Sequence, residues 1–289
     1  MAKSTTRFLS SLQLANLKAT LEYNYNKRYK TLFISSFVLS GFDYGEAYYL
    51  LSSYFLGQSL ASFKIKGPTG IDTPVAFQPF TGETFDIYSN PLVVRITPTI
   101  DSRIIPKKPL INNTECVLLR PFVNISAMID PLIKRLVDID ATIQTNLKLH
   151  KMPFIISSGN QQLYNAINNI LDDKQVITLD NDSNIKGVST NTPYIIDKLQ
   201  QYKIAIETEI LSLIGIKGQK LEKMAQMTVD EVTANDEEVN NFKNVYFDNF
   251  QAFFDKTNEL FGTNYKIELN NQYDDDEPLK EEEADDKQV

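Results

Sequence analysis

Apolar and polar residues alternate with a helical period between Thr192 and Gly215. Apolar side chains recur there every three or four positions and predict one apolar helix face, formed by Ile195, Leu199, Tyr202, Ile206, Ile210 and Leu213. Thr192 can cap this helix, Pro193 suits its first position, and Gly215 can end it. The pattern therefore predicts a helix of about 33 Å.

A polar loop and a second helix follow. The loop, Ile216 to Ala234, holds few large apolar residues and carries Lys217, Lys220, Lys223, Asp230 and Glu231. The second helix is predicted to begin at Asn235, where Glu238 completes a variant of the capping box, and to end at Gly262. Its apolar positions are Val239, Phe242, Tyr246, Phe250, Phe253 and Leu260.

Two helices are also predicted near the start of the sequence. The stretch from Ser10 to Leu32 has one apolar side, formed by Leu14, Leu17, Leu21 and Tyr25. Asp43, followed three residues later by Glu46, predicts a capping box at the start of the next helix. Apolar residues continue at helical spacing from there to Phe55.

Between Ser59 and Arg120 the pattern changes to short β-favouring runs. Seven of the 12 prolines lie in this stretch, and they separate the runs Phe63–Ile65, Val75–Phe77, Thr84–Tyr88, Leu92–Thr97 and Cys116–Leu119. The stretch predicts a small antiparallel sheet or barrel, in which proline confines many strands to edges or ends.

A long helix and an insertion are predicted next. Apolar residues recur at helical spacing from Phe122 to Leu149. Within this stretch Pro131 either opens the helix after a cap at Asp130 or kinks it. The insertion, Lys151 to Thr190, predicts a strand, a helix, a second strand and a last short strand, the first three being Phe154–Ser157, Asn160–Leu171 and Gln175–Leu179. It separates two long amphipathic helices, and neighbouring copies in a ring are an economical way to cover their apolar faces.

Charge is concentrated at one end of the 289-residue chain, whose net charge is −8. Residues 274–289 hold nine acidic side chains and two lysines, which leaves the rest of the chain at −1. We expect residues 271–289 to form an acidic disordered tail after a last strand at Tyr265–Leu269.

Cysteine usage and hydropathy indicate the compartment. Cys116 is the sole cysteine, so a disulfide within the chain is impossible. The first residues lack the apolar pattern of a secretory signal, and Leu32–Leu39 is far shorter than the ~20 residues of a membrane helix. We therefore expect a soluble intracellular protein that does not contact a membrane.

Catalytic and metal-binding patterns find little support. His150 is the sole histidine and is expected at a helix end, and Cys116 is expected to be buried and inert. Asp130, Asp138 and Asp140 on one helix are interpreted as a solvated face and not as metal ligands. The sequence therefore predicts no enzyme activity, no metal and no cofactor.

Two basic clusters are candidates for nucleic-acid contact. Lys27, Arg28 and Lys30 stand among tyrosines, and Lys107 is followed by Lys108. In a single subunit these are ordinary surface charges, because tight duplex binders show a basic stripe. In a ring, however, one inward lysine per subunit becomes a closed belt of charge.

Several stretches carry a resemblance to a known family. The words PYIIDKL, LIGIK, LEK and DEVTANDE lie between Pro193 and Glu237, and weaker likeness covers KMPFIISSGNQQL (Lys151–Leu163) and Phe42–Phe63. On these residues the chain resembles the upper collar protein, the connector or portal, of small short-tailed bacteriophages of the Picovirinae type.

The resemblance implies an α+β portal fold in a ring of twelve subunits at the unique capsid vertex. The ring would conduct double-stranded DNA during packaging and ejection. The implied partners are the major capsid protein, the packaging ATPase and the lower collar or tail proteins, in the virion and, during assembly, in the host cytoplasm. The implied parts are a helical wing (1–58), a β-rich wing subdomain (59–120), a stem helix (121–150), a clip (151–191), a stem helix (192–215), a channel loop (216–235), a wing helix and strand (236–270) and the tail.

Channel residues follow from the same resemblance and from the polarity of the loop. Lys198 and Lys223 match positions of channel lysines in related proteins, whereas Ser189 and Met224 stand where lysines are expected. The DNA channel is thus assigned to Lys198, Lys217, Lys220 and Lys223, and the channel loop to Gly218, Glu222, Met224, Asp230 and Glu231.

One property of the family is not carried over, and two alternative functions stay open at this point. The family's basic N-terminal arm, used with a packaging RNA, is reduced here to Lys3 and Arg7, so RNA binding is not carried over. A lower-collar or tail adaptor would form a ring without the clip or the DNA-gripping loop. A cellular helical scaffold would be unrelated to phage.

Overall fold

A computed structural model describes residues 11–64, 74–97, 106–151, 154–157, 186–189, 193–217 and 229–270. It mixes helices and antiparallel strands, which confirms the predicted α+β class. The chain divides into two compact units, one made of Met1–Asn26 and Asp130–Glu207, the other of Lys27–Ile129 and Thr208–Val289. We refer to them as unit 1 and unit 2.

The described elements follow one another in mixed order. They are α1 (Ser11–Ser35), β1 (Phe37–Ser40), α2 (Tyr44–Phe55), β2 (Leu60–Phe63), β3 (Ala76–Phe85), β4 (Pro91–Ile96), β5 (Leu110–Ile111), β6 (Cys116–Leu119), α3 (Ile125–Lys151), β7 (Phe154–Ser157), β8 (Lys186–Ser189), α4 (Ile196–Leu213), α5 (Val229–Phe261) and β9 (Lys266–Leu269).

The β-rich stretch forms a five-stranded antiparallel sheet in the order β5-β4-β3-β2-β6. Two of the predicted runs, Val75–Phe77 and Thr84–Tyr88, belong to one strand and the turn after it, because β3 runs unbroken from Ala76 to Phe85. The prediction of separate strands was wrong here, because Pro79 and Gly82, which lie between the two runs, are both inside β3.

Pro79 lies inside the central strand without disrupting it. Residues 76–79 of β3 pair with β2, and residues 80–85 pair with β4. Pro79 is therefore the point at which β3 changes partner, so its missing N–H removes no interior ladder bond. Its carbonyl accepts a hydrogen bond from the Thr97 N–H at 2.7 Å. Pro91, by contrast, opens β4 as the sequence pattern predicted.

One face of this sheet is a closed apolar core. Its buried members come from four of the strands and are Ala61, Phe63, Val94, Ile96, Leu110 and Cys116. Burial raises the pKa of the Cys116 thiol to about 12, so the thiol stays protonated and unreactive near neutral pH. The expectation of a buried Cys116 is confirmed.

Aromatic side chains form the interior of the helical part of unit 2. The ring of Phe33 in α1 lies within 6.3 Å, centroid to centroid, of the Tyr54 ring and within 5.6 Å of the Tyr246 ring. The Phe250 ring is tilted against the Tyr54 ring, with the two centroids 4.5 Å apart. All four residues have no exposed surface. Edge-to-face and offset pairs of this kind add to the stabilisation that burial alone provides.

Local signals set the start of α2 as predicted. The Asp43 side chain accepts from the Glu46 N–H at 2.7 Å, and the Asp43 N–H donates to the Glu46 carboxylate, so the capping box is complete. This arrangement satisfies backbone donors that a helix start otherwise leaves without a partner.

The long helix α3 begins at Ile125, and Pro131 lies inside it. The cap is Asn124, whose side-chain oxygen accepts from the Ala127 N–H at 2.9 Å. Of the two alternatives for Pro131, the one with Asp130 as a cap is therefore wrong. A proline at this position lacks the N–H that would donate one intrahelical hydrogen bond.

Only part of the predicted insertion belongs to the described chain. The predicted strand Phe154–Ser157 is confirmed, and it pairs antiparallel with β8, the predicted last short strand. The predicted helix Asn160–Leu171 and strand Gln175–Leu179 lie outside the described residues. The predicted strand near Tyr265 is confirmed as β9, which pairs with β1 from Phe37↔Leu269 to Ser40↔Lys266.

Candidate nucleic-acid interface

Helix α4 carries the first proposed channel lysine, and its start differs from the prediction. The first helical hydrogen bond runs from the Leu199 N–H to the Ile195 carbonyl, so the helix begins at Ile196 and not at Pro193. The Pro193 carbonyl accepts instead from the side-chain amide of Asn146 at 3.1 Å. A tertiary contact to α3 thus takes the place that the sequence pattern gave to a helical turn.

In the first half of α4, the side of the helix that is buried also differs from the predicted one. Ile206 and Ile210 are buried as predicted, but Tyr202 is 51% exposed, and near the helix start Ile196 is buried whereas the predicted Ile195 is only partly buried. Lys203 occupies the inward position next to Tyr202. The helical pattern predicts the wrong buried side here, because it places Tyr202 in the interior and Lys203 at the surface.

Lys203 faces inward because unit 1 supplies a carboxylate for it. Its ammonium lies 2.7 Å from Asp140 Oδ1, and the Tyr25 hydroxyl donates to Asp140 Oδ2 at 2.5 Å. The ammonium also sits 5.7 Å from the Tyr25 ring centroid. One carboxylate of α3 therefore joins a side chain of α1 to a side chain of α4.

The pKa values reflect this arrangement. Burial raises the pKa of Tyr25, and its hydrogen bond to the Asp140 carboxylate raises it further. Burial alone would lower the pKa of Lys203, but the hydrogen bonds to Asp140 and Tyr25 outweigh it and the pKa is raised. Both side chains therefore hold their protons at neutral pH, with a neutral phenol and a charged ammonium around one carboxylate.

The acidic residues of α3 do not act as one group. Asp138 pairs with Lys18 and Asp130 pairs with Lys134, both at exposed positions, whereas Asp140 is only 17% exposed. The interpretation as a solvated face is therefore right for two of them and wrong for Asp140, which Lys203 draws inward. Within the described ranges no group of three or more histidine, cysteine or acidic residues could hold a metal ion.

The exposed face of α4 carries little positive charge. Lys198 is exposed, as are Asp197 and Glu209. Because Lys203 is paired with Asp140, the exposed charges named on this helix are one lysine and two carboxylates. Since phosphate affinity grows with the number of lysine and arginine contacts, such a surface holds nucleic acid weakly.

The end of α4 is fixed by Gly215, as predicted. Gly215 has φ +78°. Its N–H donates to the Ser212 carbonyl, and the Ile216 N–H donates to the Leu211 carbonyl. These two bonds form a Schellman motif. A Cβ at Gly215 would lie 2.9 Å from the Cα of Lys243 in α5. Only glycine therefore fits both the backbone conformation and the close approach of α5.

Helix α5 holds the other side of this junction. The Tyr246 hydroxyl donates to the Leu213 carbonyl at 2.8 Å, which satisfies one of the terminal carbonyls of α4. Burial raises the pKa of Tyr246, so the hydroxyl remains a donor. The point at which the chain leaves α4 is thus held by a backbone motif and by two residues of α5, Lys243 and Tyr246.

The loop itself is shorter than predicted. Helix α5 begins at Val229, so Asp230 and Glu231 belong to its first turn and not to the loop, and Asn235 is not a helix start. Acidic residues suit the first turn of a helix because they complement its dipole. Gly262, with φ +66°, ends α5 as predicted.

The predicted channel residues divide into described and undescribed ones. Lys198 is exposed on α4, and Lys217 is exposed two residues after Gly215. Gly218, Lys220, Glu222, Lys223 and Met224 lie outside the described residues. The structure therefore fixes where the loop leaves α4 and where α5 begins, and the roles of the loop side chains stay predictions.

The basic clusters make contacts of their own. The Lys30 ammonium lies 5.4 Å from the Tyr48 ring centroid, and the Arg28 guanidinium lies 5.6 Å from that of Tyr29. Lys108 pairs with Glu115 at 2.8 Å.

His150, which lies in the last turn of α3 as predicted, packs its ring 5.5 Å from the ring of Tyr194.

Comparison with known families identifies the class of protein. The family model described as Phage Connector (GP10) matches residues 110–274, which is more than half of the chain and spans α3, α4, α5 and the loop. The chain therefore belongs to the phage connector family. This confirms the resemblance on which the sequence interpretation rests.

Two solved structures are similar over most of their length. One is described as the portal and tail of native bacteriophage P68, with 13% identity, a TM-score of 0.48 and coverage of 90% of this chain and 89% of that chain. The other is an HK97-family phage portal protein from Corynebacterium diphtheriae, with 7% identity, a TM-score of 0.46 and coverage of 90% of this chain and 94% of that chain.

None of the helices in the described residues is long and apolar enough to span a membrane.

The sequence interpretation missed two structural features of the site. The Lys203–Asp140 pair joins residues 63 positions apart, and the contact of Gly215 with Lys243 joins two helices across the loop. An apolar face interrupted by a lysine was a sign of the first. The glycine itself was a sign of the second, but it is explained equally well by a free helix end.

Proposed function

We propose that this chain is a portal subunit that forms a twelve-membered ring at the unique capsid vertex. The ring conducts double-stranded DNA during packaging and ejection. It also gives a docking platform for the packaging ATPase and the lower collar or tail proteins. The observation that carries this proposal is the family match, because it covers both α4 and α5 and the segment between them.

The charge on α4 supports a passive conduit. Lys198 is the exposed lysine of this helix, and two exposed carboxylates accompany it. A wall that held the duplex tightly would oppose its movement, since each phosphate contact adds to the affinity. In the proposed ring, Lys198, Lys217, Lys220 and Lys223 form sparse belts that centre the DNA in the channel without binding it strongly.

The ends of the loop support a valve between α4 and α5. The Schellman motif at Gly215 and the hydrogen bond from Tyr246 fix the point at which the loop leaves α4. We propose that residues 218–228 project into the channel and retain packaged DNA. Gly218, Glu222 and Met224 lie in this loop, and Asp230 and Glu231 stand at the start of α5.

The remaining parts follow the division made from the sequence. We propose that the wing (1–120 and 236–270) contacts the major capsid protein and that residues 121–150 and 192–215 form the stem. Residues 151–191 form the clip, which docks the motor and then the tail. The subunit acts in the virion after assembly in the host cytoplasm, and it needs no cofactor.

The valve is tested by replacing residues 218–228 with eleven glycine and serine residues. The replacement keeps the chain length between α4 and α5 and removes the loop's side chains. We expect rings that assemble and package DNA normally, but lose it from the capsid after the motor departs. The measurement is the DNA content of purified particles, with the Lys198→Gln variant as a control that leaves the loop intact.

The outcomes separate the two parts of the proposal. Normal retention by the glycine-serine loop would refute the valve and leave the portal role standing. A wild-type chain that forms no ring in native mass spectrometry would refute the portal role itself.

A further inference from the structure

The turn between β3 and β4 exposes large apolar side chains in a way that the fold does not require. Within residues 85–92, which we call the hairpin tip, the exposed fractions are 53% for Phe85, 89% for Ile87, 78% for Tyr88 and 48% for Leu92. Four such side chains in eight residues are unusual on a free surface. An exposed apolar patch of this kind marks a contact site.

The hairpin tip is also rigidly built. The Asp86 carboxylate accepts from the N–H of Tyr88 and the N–H of Asn90 at 2.8 Å, and from the Asn90 side chain at 2.9 Å. Ser89 sits at φ +61° between them. The Asn90 hydrogen bonds, side chain first and then backbone, lower the pKa of Asp86, so the carboxylate stays charged. Ile87 and Tyr88 are therefore presented in a preformed turn that loses little entropy on binding.

A second exposed surface of unit 2 has complementary chemistry. Tyr44 is 87% exposed, and its ring stacks 6.4 Å from that of Tyr48 on the same side of α2. Lys30 lies over Tyr48, and Lys27 is exposed one turn earlier in α1. We call Lys27, Lys30, Tyr44 and Tyr48 the basic aromatic face.

We propose that the hairpin tip of one subunit docks on the basic aromatic face of a second copy of this chain. A ring requires two different, complementary surfaces on each subunit. The tip offers Ile87 and Tyr88 with the negative charge of Asp86, and the face offers two tyrosine rings with two lysines. This inference rests on the proposed ring and names a contact within it.

The size of the tip agrees with an anchor in a larger contact. Its two aromatic side chains, Phe85 and Tyr88, alone expose roughly 200–300 Å², on the usual area of such rings. Each partner in a standard interface contributes ~800 Å². In the proposed contact the tip therefore supplies part of this area, and large side chains such as Tyr88 supply most of the binding energy of an interface.

Pairwise cysteine substitution tests the contact directly. The single natural cysteine, Cys116, is buried, so introduced cysteines react alone. Ile87→Cys combined with Tyr48→Cys should give a ladder of covalent multimers with a short bismaleimide. Ile87→Cys combined with Val245→Cys, which is also exposed, is the matched control and should not give the ladder.

A second measurement uses the strength of assembly. Because Ile87 is almost fully exposed, Ile87→Asp should leave the subunit folded, as checked by circular dichroism. It should raise the subunit concentration needed for half-assembly at least tenfold, since it places a charge within the contact.

The outcomes distinguish this inference from the proposed function. Rings that form without the ladder, or that form equally well with Ile87→Asp, overturn the contact and leave the portal role intact. Rings that persist in Ile87→Asp but no longer enter capsids would show that the tip binds another protein, which also overturns it. A chain that is monomeric under all conditions overturns the ring and this contact together.

Discussion

The two units of this chain stabilise their interiors by different means. Unit 2 buries aromatic rings, with Phe33, Tyr54, Tyr246 and Phe250 in mutual contact and without exposed surface. Unit 1 joins its helices through one largely buried carboxylate, Asp140, and its two partners.

The difference concerns specificity as much as stability. Aromatic packing is strong but tolerates small displacements of neighbouring helices. A carboxylate that must reach both a phenol and an ammonium allows one register, because a misplaced partner leaves a buried charge unpaired. The family match covers α3 and α4, and both depend on this polar contact. We infer that it sets their register, whereas the aromatic interior supplies most of the stability.

The largest effect is expected from the aromatic interior. Phe250→Ala should lower the free energy of unfolding by about 3–5 kcal/mol, because it removes a fully buried ring and leaves a cavity. Phe250→Leu, which refills most of the volume, should cost roughly 1–1.5 kcal/mol. Urea denaturation followed by tyrosine fluorescence measures both, since the chain has no tryptophan. Equal losses in the two variants would contradict the packing argument.

The next largest effect is expected where α4 meets α5. Gly215→Ala should cost about 2–3 kcal/mol, since alanine at positive φ costs ~1–2 kcal/mol and its Cβ also meets the backbone of Lys243. Gly262→Ala is the matched control, because Gly262 has a similar φ and nothing within 4 Å of the added Cβ. It should cost only the conformational part. If both variants lose the same stability, the contact with α5 has no energetic role.

A smaller effect is expected from the polar interior of unit 1. Asp140→Ala should cost about 2 kcal/mol, because it leaves Lys203 and Tyr25 without their acceptor. Asp138→Ala removes an ion pair with Lys18 that is 66% exposed on the carboxylate side. It should change stability by less than about 1 kcal/mol. Similar losses at the two positions would erase the distinction between the polar interior and an ordinary surface pair.

The smallest effect is an alkaline pH dependence of unit 1. The pKa values of Tyr25 and Lys203 are both raised in the folded chain. Their contribution is therefore fully present below their ordinary values near pH 10 and is lost as the pH rises through the folded-state values. Tyrosines of unit 2 titrate in the same range, with Tyr54 raised to about 12.

The pH dependence of stability must therefore be measured as a difference between the wild type and a variant of Asp140. Asp140→Asn should lose less stability than the wild type between pH 9 and pH 11 (roughly the window set by the ordinary pKa values). Thermal unfolding at matched ionic strength gives the comparison. Identical slopes for the two proteins would show that the Asp140 contacts do not control this titration.

Much of the fold follows from local sequence signals. The capping box at Asp43 and Glu46, the helix ends at Gly215 and Gly262, and the strand Phe154–Ser157 all stand where the sequence predicts them. Each depends on residues within a few positions of one another, so the chemistry that determines it is present in any short window of the chain. The family membership was also accessible, because its signal lies in contiguous words of sequence.

Other features were decided only by tertiary contacts. Pro79 could stand in a central strand because the pairing of β3 with β2 ends at Pro79 and its pairing with β4 begins at the next residue. Lys203 turned inward because Asp140, 63 residues earlier, offered a carboxylate. The aromatic residues of the hairpin tip look like core residues in the sequence, yet a preformed turn holds them in solvent. For Pro79 and Lys203 the deciding partner lies far away along the chain, so the sequence by itself determined the elements, and the meeting of distant residues determined how those elements pack.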